Sequence, residues 1–367
     1  MSGRFIGPLA VITCLIILQG CSGDSGGSNP TGTGDGDGGG WSTQLVRSGS
    51  FANGEINAAI DANGKLYVSA YDLNVGLQYV TNKSGSWVAT LVAADDGDSE
   101  GTHNDIAVDD GGKIHIMYSD YYGIRYITDE TGDWSEEDIW LGGGGSCCIV
   151  LDGANCLHAT FDDGNYSDIR YISKPAGGAW GSSVALADEW INSSCDIDVD
   201  GSNHPHAAFN FAGHHNLRYA FFDGSWNVVT LEGADDYPYI PDTGWTPSIA
   251  VDKDTDAASI VFWNSTDNRV EFSGGAAHAA VTIKSTVGWA RPCVALDSAG
   301  YAHVFFGEEG SYALNYATNK SGSWVNTVLS IEIGEEELAV VIDSADKIHI
   351  FYSSKTYLDL YHASLQL

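Results

Sequence analysis

Short apolar runs separated by tight polar turns recur along this chain from residue 41 to its end. The recurring unit is an apolar strand ending in aspartate, a turn, and a second apolar strand. The aspartates are Asp61, Asp109, Asp152, Asp200, Asp252, Asp297 and Asp343, spaced by 48, 43, 48, 52, 45 and 46 residues. A third strand places an aromatic side chain after an aliphatic one, at Tyr79, Tyr126, Tyr171, Tyr219, Phe272, Tyr316 and Tyr361. A fourth opens on Gly-x-Trp, at Trp87, Trp134, Trp180, Trp226 and Trp324. The fifth unit departs there and reads Ala276-Ala277-His278-Ala279-Ala280.

A period in the forties with four short strands per repeat is the signature of a β-propeller. The seventh unit stops soon after Tyr361, leaving no room for a fourth strand. An orphan strand of the fourth type stands at the other end, as Gly40-Trp41-Ser42-Thr43-Gln44-Leu45-Val46. Pairing the two ends covers both exposed edges. The pattern therefore predicts one all-β domain over residues 41–367. It is a seven-bladed β-propeller of four-stranded antiparallel blades, its ring closed by an N-terminal strand.

The first forty residues break the pattern. Arg4 precedes Phe5 to Leu18, an apolar stretch of 14 residues interrupted by Pro8, which has the form of a signal peptide over residues 1–20. It ends Leu18-Gln19-Gly20-Cys21, which resembles the bacterial lipobox. That resemblance implies acylation of Cys21, export, and anchoring at the outer membrane or cell surface through acyl chains such as palmitate. Ser22 to Gly40, with no apolar residue larger than proline, reads as a flexible tether of 19 residues with a reach of roughly 25 Å. The repeats are similar to the BNR or Asp-box repeats of sialidase-type exported propellers, a resemblance of fold. Their turn is Asp-x-x-Gly-x-x-His, as in Asp109 to His115, where the family's box reads Ser-x-Asp-x-Gly-x-x-Trp.

Charge narrows the partners. The net charge of −33 repels phosphate backbones, so no nucleic-acid partner is expected, whereas a basic protein would be attracted. His115, His158, His206, His303 and His349 each follow their aspartate by six residues, one per repeat, and read as structural donors. Asp196 to Gly201 begins like an EF-hand loop, but its twelfth position is Ala207. No metal and no cofactor are expected. Cys147 and Cys195 hold equivalent positions in adjacent repeats, with Cys148 competing for the same partner, so export permits a disulfide there.

A ligand site is expected on the end of the ring where the inter-blade loops and the loops between second and third strands meet. We call this end the top. Its loops are long, acidic and aromatic, and include Trp190, Trp245 and Trp289. Six residues before the repeat aspartates stand Glu55, His103, Ser146, Ser194, Thr246, Arg291 and Glu337; four before stand Asn57, Asp105, Cys148, Asp196, Ser248, Cys293 and Ala339. These differ from repeat to repeat on an invariant frame, as expected at the mouth of a site. The candidate ligand-binding set is His103, Asp105, Asp196, Trp245, Trp289, Arg291 and Glu337. Aromatic faces beside carboxylates suit a glycan or the cationic groups of a protein partner. Two other readings stay open. One is a glycoside hydrolase-like enzyme using Asp105, Asp196 and Glu337; the other is a surface assembly scaffold. The chain is expected to act as a monomer.

Overall fold

A computed structural model describes residues 40–51, 55–95, 97, 101–164, 168–186, 194–211, 216–232, 243–275, 278–285, 287, 290–308 and 310–367. The leader, Cys21 and nearly all of the tether lie outside the described residues, as do Trp190 and Trp289. The described residues form twenty-seven strands and no helix.

Five four-stranded antiparallel sheets follow one another along the chain. They are β2 (Ile56–Ile60) to β5 (Val88–Ala94), with β3 at Leu66–Asp72 and β4 at Gly76–Thr81; β6 (Asn104–Val108) to β9 (Ser135–Leu141), with β7 at Ile114–Ser119 and β8 at Gly123–Thr128; β10 (Cys147–Leu151) to β13 (Val184–Ala185), with β11 at Leu157–Asp162 and β12 at Ile169–Lys174; β14 (Cys195–Val199) to β17 (Trp226–Glu232), with β15 at Pro205–Phe211 and β16 at Asn216–Phe222; and β18 (Trp245–Val251) to β21 (Ala279–Ser285), with β19 at Ala258–Asn264 and β20 at Arg269–Gly274. A seven-stranded sheet completes the molecule, in the order β1 (Ser42–Arg47), β27 (Leu360–Gln366), β26 (Lys347–Ser354), β25 (Val325–Ile342), β24 (Ala313–Thr318), β23 (Ala302–Gly307), β22 (Cys293–Leu296). Two repeats share β25, whose first half pairs with β24 and whose second half pairs with β26. The sequence suggests a loop between the two repeats; the chain instead stays extended and shifts register between Ile333 and Leu338.

The first strands of the repeats touch in a circle: β2, β6, β10, β14, β18, β22, the second half of β25, and β2 again. Second strands such as β3, β7 and β11 are buried along their whole length, with polar positions such as Ser69, His115 and Thr160 buried among the apolar ones. Fourth strands such as β9 lie largely exposed.

Each repeat aspartate folds its own turn. Asp61 Oδ1 accepts the N–H groups of Asn63 and Lys65 at 2.9 and 2.8 Å, and Asp152, Asp200, Asp297 and Asp343 repeat the arrangement. The turn needs a left-handed residue, supplied by glycine at Gly64, Gly112 and Gly300 and by Asn155, Asn203, Asp256 and Asp346 elsewhere. The other carboxylate oxygen of Asp152, Asp200 and Asp297 faces the repeat histidine at 3.2, 3.4 and 3.3 Å. The opposite ring nitrogen of His158, His206 and His303 meets the third-strand tyrosine at 2.7, 2.5 and 2.8 Å. In the last repeat His362 replaces that tyrosine, 2.9 Å from His349. Burial holds these imidazoles below their ordinary value and pushes His362 down to about 3. The neutral rings of His158 and His206 can then donate to their aspartates and accept from their tyrosines. The repeated histidines are structural, as their one-per-repeat spacing suggests.

Aromatic wedges join neighbouring sheets. The fourth-strand tryptophans Trp134, Trp180, Trp226 and Trp324 lie 5.5, 5.2, 4.7 and 4.9 Å from Tyr79, Tyr126, Tyr171 and Phe272 of the preceding sheet. In the degenerate fifth repeat His278 takes the tryptophan's place, 5.0 Å from Tyr219. Trp41, just before β1, lies 6.1 Å from Tyr316, and Trp87 lies 5.7 Å from Phe351, so the N-terminal strand falls into the same series. β1 pairs antiparallel with β27 through Ser42↔Ser364 to Arg47↔Leu360.

Deleting residues 41–47 removes this strand and the Trp41 wedge and bares the edge of β27. The truncated protein is expected to melt earlier and to aggregate, as read by thermal denaturation and light scattering. A soluble truncation with an unchanged melting temperature would contradict the closure.

Candidate functional site

The inner strands surround an axial cavity of about 730 Å³. Neighbouring inner strands belong to different sheets or to the two halves of the shared sheet, so no backbone ladder joins them. Side chains do so instead: in six strands from the position four before the repeat aspartate, with Ala339 offering none in the seventh and Asp198 adding a second bridge from β14 by accepting the Val251 N–H at 2.7 Å. The Asn57 amide donates to the Asn104 carbonyl. Asp105 Oδ2 accepts the Ile149 N–H at 2.8 Å, and Cys148 Sγ donates to the Cys195 carbonyl at 2.8 Å. Asp196 Oδ2 accepts the Ile249 N–H at 2.8 Å, Ser248 Oγ accepts the Val294 N–H at 3.3 Å, and Cys293 Sγ donates to the Leu338 carbonyl at 3.0 Å. Asn, Asp, Cys and Ser thus play one part here, each satisfying a backbone group of the next strand. The remaining oxygen of Asp105 and of Asp196 accepts the N–H of the following residue, Ile106 or Ile197. Burial raises both carboxyls against these hydrogen bonds: Asp105 goes well up, and Asp196 is pushed up to about 7.

The position two residues earlier forms the mouth. Glu55 Oε1 lies 3.0 Å from His103 Nδ1 and 3.9 Å from Arg291 Nη1, while Oε2 accepts the Asn104 N–H at 3.2 Å. Burial pushes the Glu55 carboxyl up, but His103, Arg291 and the Asn104 N–H outweigh it and hold it below its ordinary value. Arg291 reaches Glu55 past the second half of β25, so this pair spans part of the mouth. His103 and Arg291 keep 38% and 32% of their side chains exposed, enough to meet a ligand. Ser194 Oγ accepts the Thr246 N–H at 3.1 Å, and Thr246 Oγ1 donates to the Ala290 carbonyl at 3.1 Å. Thr246 has φ 46°, a strained conformation for a β-branched residue that these two bonds help to hold.

The structure brings together His103 and Arg291 around Glu55, and it places Asp105 and Asp196 deeper in the channel as strand bridges. Trp245 opens β18, half-buried against the cluster that contains Trp263, Val287 and Val294. The side chain of Glu337 and all of Trp289 lie outside the described residues.

Sequence reasoning missed the rim. Tyr121 and Tyr122 are 75% and 53% exposed and meet edge to face at 5.4 Å. Their loop starts at Ser119, whose backbone bonds to Gly101 and His103. Tyr357 is 74% exposed, and Tyr312, 41% exposed, carries Lys355 Nζ 4.6 Å from its ring centre. All four occupy loops between second and third strands, at the same end as the mouth. The signal in the sequence was an aromatic side chain inside so short a hairpin, where nothing can bury it. Many of the rim's cations are already matched by carboxylates. Arg125 pairs with Asp120 and Asp138, Arg170 with Asp163 and Asp168, Arg269 with Asp267 and Glu271, Lys284 with Glu308, and Lys355 with Glu332.

The disulfide that export would permit is not formed: Cys147, Cys148, Cys156, Cys195 and Cys293 are all free thiols. Cys147 Sγ points to the His103 carbonyl at 3.8 Å, while Cys148 bonds to the Cys195 backbone, so the equivalent positions 147 and 195 do not face each other.

No family model and no curated protein match this chain. Solved structures do. An ulvan lyase of polysaccharide lyase family PL25, bound to -[GlcA(1-4)Rha3S]-, is 11% identical, with a TM-score of 0.64 over 87% of this chain and 94% of that one. A lectin of Aleuria aurantia, in complex with Fucα1-6GlcNAc, is 12% identical, with a TM-score of 0.56 over 77% and 97%. The extracellular domain of a putative one-component system of B. thetaiotaomicron is 9% identical, with a TM-score of 0.53 over 87% of this chain and 40% of that one. At such identities the likeness is one of fold: an all-β, propeller-like array of antiparallel sheets.

Asp196 provides a check of the bridging role. Its carboxyl sits at about 7 in the folded protein, above the ordinary 3.8. The stability this shift contributes is therefore full below about pH 4 and is lost as pH rises through about 7. Asp196→Asn lacks that loss, so its stability relative to the parent is expected to improve between pH 4 and pH 8, by more than about 1 kcal/mol. Urea titrations at both pH values check this; a difference that stays constant or moves the other way contradicts it.

Proposed function

We propose that this chain is an exported, lipid-anchored recognition module that binds a glycan on the top face of a seven-bladed ring. The count of seven takes the shared sheet as two four-stranded blades of BNR-like repeats meeting at β25, with β1 as the closing strand. The observation that carries the function is the set of exposed tyrosines, Tyr121, Tyr122, Tyr312 and Tyr357, on the face that holds His103 and Arg291. Aromatic faces with polar groups beside them stack on the apolar faces of sugar rings. Structural neighbours that include a lectin and polysaccharide lyases support a glycan over a basic protein.

Charge selects among glycans. Many of the rim's arginines and lysines are spent on carboxylates, and the whole chain carries −33. A uronate or sulfate would find few unmatched cations and a repulsive field. The favoured ligand is a neutral oligosaccharide. The hydrolase reading is weaker, because Asp105 and Asp196 each commit both carboxylate oxygens to backbone N–H groups.

A screen of neutral, uronate-containing and sulfated oligosaccharides tests this reading, with hydrolysis and elimination followed in parallel. The double variants Tyr121→Ala/Tyr122→Ala and Trp245→Ala/Trp289→Ala are each expected to weaken binding by about tenfold while remaining folded, the size expected from losing stacking contacts. Unchanged affinity in folded variants, or preference for the anionic sugars, contradicts it.

Attachment is proposed to run through Cys21 and its tether, at the outer membrane or cell surface, with the ring acting as a monomer. Cys21→Ser is expected to abolish acyl labelling and release the protein from the membrane fraction. Membrane partitioning that persists without an acyl chain would overturn the anchor.

A further inference from the structure

The end of the ring opposite the mouth carries the short aspartate turns, and one of them differs in chemistry. Asp152, Cys156 and His158 present a carboxylate oxygen, a thiol sulfur and an imidazole nitrogen within 4.8 Å of one another. We propose that these three side chains form a binding site for a single borderline transition-metal ion, best matched by Zn²⁺, with the remaining position open to water.

The turn builds the site from the sequence upward. Asn155 is left-handed, φ 57°, which returns the chain so that Cys156 stands beside Asp152. Asp152 Oδ1 accepts the N–H groups of Ala154 and Cys156, both at 2.8 Å, which leaves Oδ2 facing His158 Nε2 at 3.2 Å. The far nitrogen of His158 is held by Tyr171 Oη at 2.7 Å. A metal-binding histidine commonly has its second nitrogen oriented in this way by an outer partner. Neighbouring turns brace the loop on both sides. Asn155 exchanges hydrogen bonds with Asp110 at 3.1 and 3.2 Å, and the Gly153 N–H donates to Asn203 at 3.0 Å. The carboxylate and imidazole keep only 7% and 8% of their side chains exposed, so little solvent competes.

Donor chemistry selects the ion. One oxygen, one nitrogen and one sulfur suit Zn²⁺ and its borderline neighbours. Ca²⁺ and Mg²⁺ require several oxygen ligands and do not take a thiolate. The other repeats act as internal controls. Where Cys156 stands, they carry Lys65, Lys113, His204, Ala257, Tyr301 and Lys347. Most therefore keep an aspartate with its partner histidine or tyrosine but offer no third donor. His204 beside Asp200 and His206 is the exception, and the test must separate it.

The test uses the full-length protein, Zn²⁺ titrated by calorimetry, Co²⁺ as a spectroscopic substitute, and iodoacetamide labelling of Cys156 read by peptide mass spectrometry. One Zn²⁺ per chain is expected, with at least about tenfold slower labelling of Cys156 in its presence and a thiolate-to-cobalt charge-transfer band. Cys156→Ala, which places there the alanine that the fifth repeat already carries, is expected to fold normally and to lose both the band and the zinc equivalent. His204→Ala is expected to keep both. Zinc binding that survives Cys156→Ala, that depends on His204 instead, or that leaves Cys156 labelling unchanged overturns the assignment. So does the absence of any zinc binding.

Discussion

Everything in this molecule depends on how strands that share no backbone ladder are tied together around the axis. The inner strands crowd one another where the sheets converge, and their inward backbone groups would be left without partners. A side chain closes six of the gaps, from Asn57 to the Asn104 carbonyl through to Cys293 and the Leu338 carbonyl, while Ala339 offers none at the seventh. An unmade hydrogen bond of this kind costs about 1–3 kcal/mol, so the position is under strong demand for a polar atom. That demand does not specify which one. An amide, a carboxylate, a thiol or a hydroxyl each reaches the neighbour, so the residue type drifts among the six strands that make the bond.

Outward from the axis the constraints change in kind. At mid-radius each aspartate folds its turn, and in repeats such as that of Asp152 it holds a histidine and through it a third-strand tyrosine. At the periphery a tryptophan from each outer strand wedges against the preceding sheet, with His278 serving once in its place. These two layers need particular residues, and so they repeat. They fix a rigid frame whose top loops are free to differ, and there the exposed tyrosines and the His103–Glu55–Arg291 group stand.

This division explains what was legible in the sequence. The repeat, the closing strand and the structural role of the histidines could be read directly, because aspartate, histidine and tryptophan recur at fixed spacing. The continuous β25 could not, since the stretch from Leu329 to Glu337 carries no glycine or proline pair strong enough to separate a loop from a bulge. Variation among the inward positions read as the mark of a binding site. For Asp105 and Asp196 the structure supplies another source of variation, the interchangeable bridge, whereas His103 and Arg291 stand at the open mouth. The rim tyrosines escaped notice because a period finds what repeats, and Tyr121, Tyr122 and Tyr357 do not. The Asp152, Cys156 and His158 group escaped for a related reason: its aspartate and histidine belong to the repeat, and only the turn geometry reveals that Cys156 joins them.

The separation between bridged axis and recognising rim is tested most sharply by a crystal structure of the protein with a bound neutral oligosaccharide. The sugar is expected on the top face against the exposed tyrosines, with Asp105 and Asp196 still bonded to the Ile149 and Ile249 N–H groups. A sugar seated within the axial channel with either carboxylate turned from its bridge onto the ligand, or bound on another face of the ring, would contradict that separation.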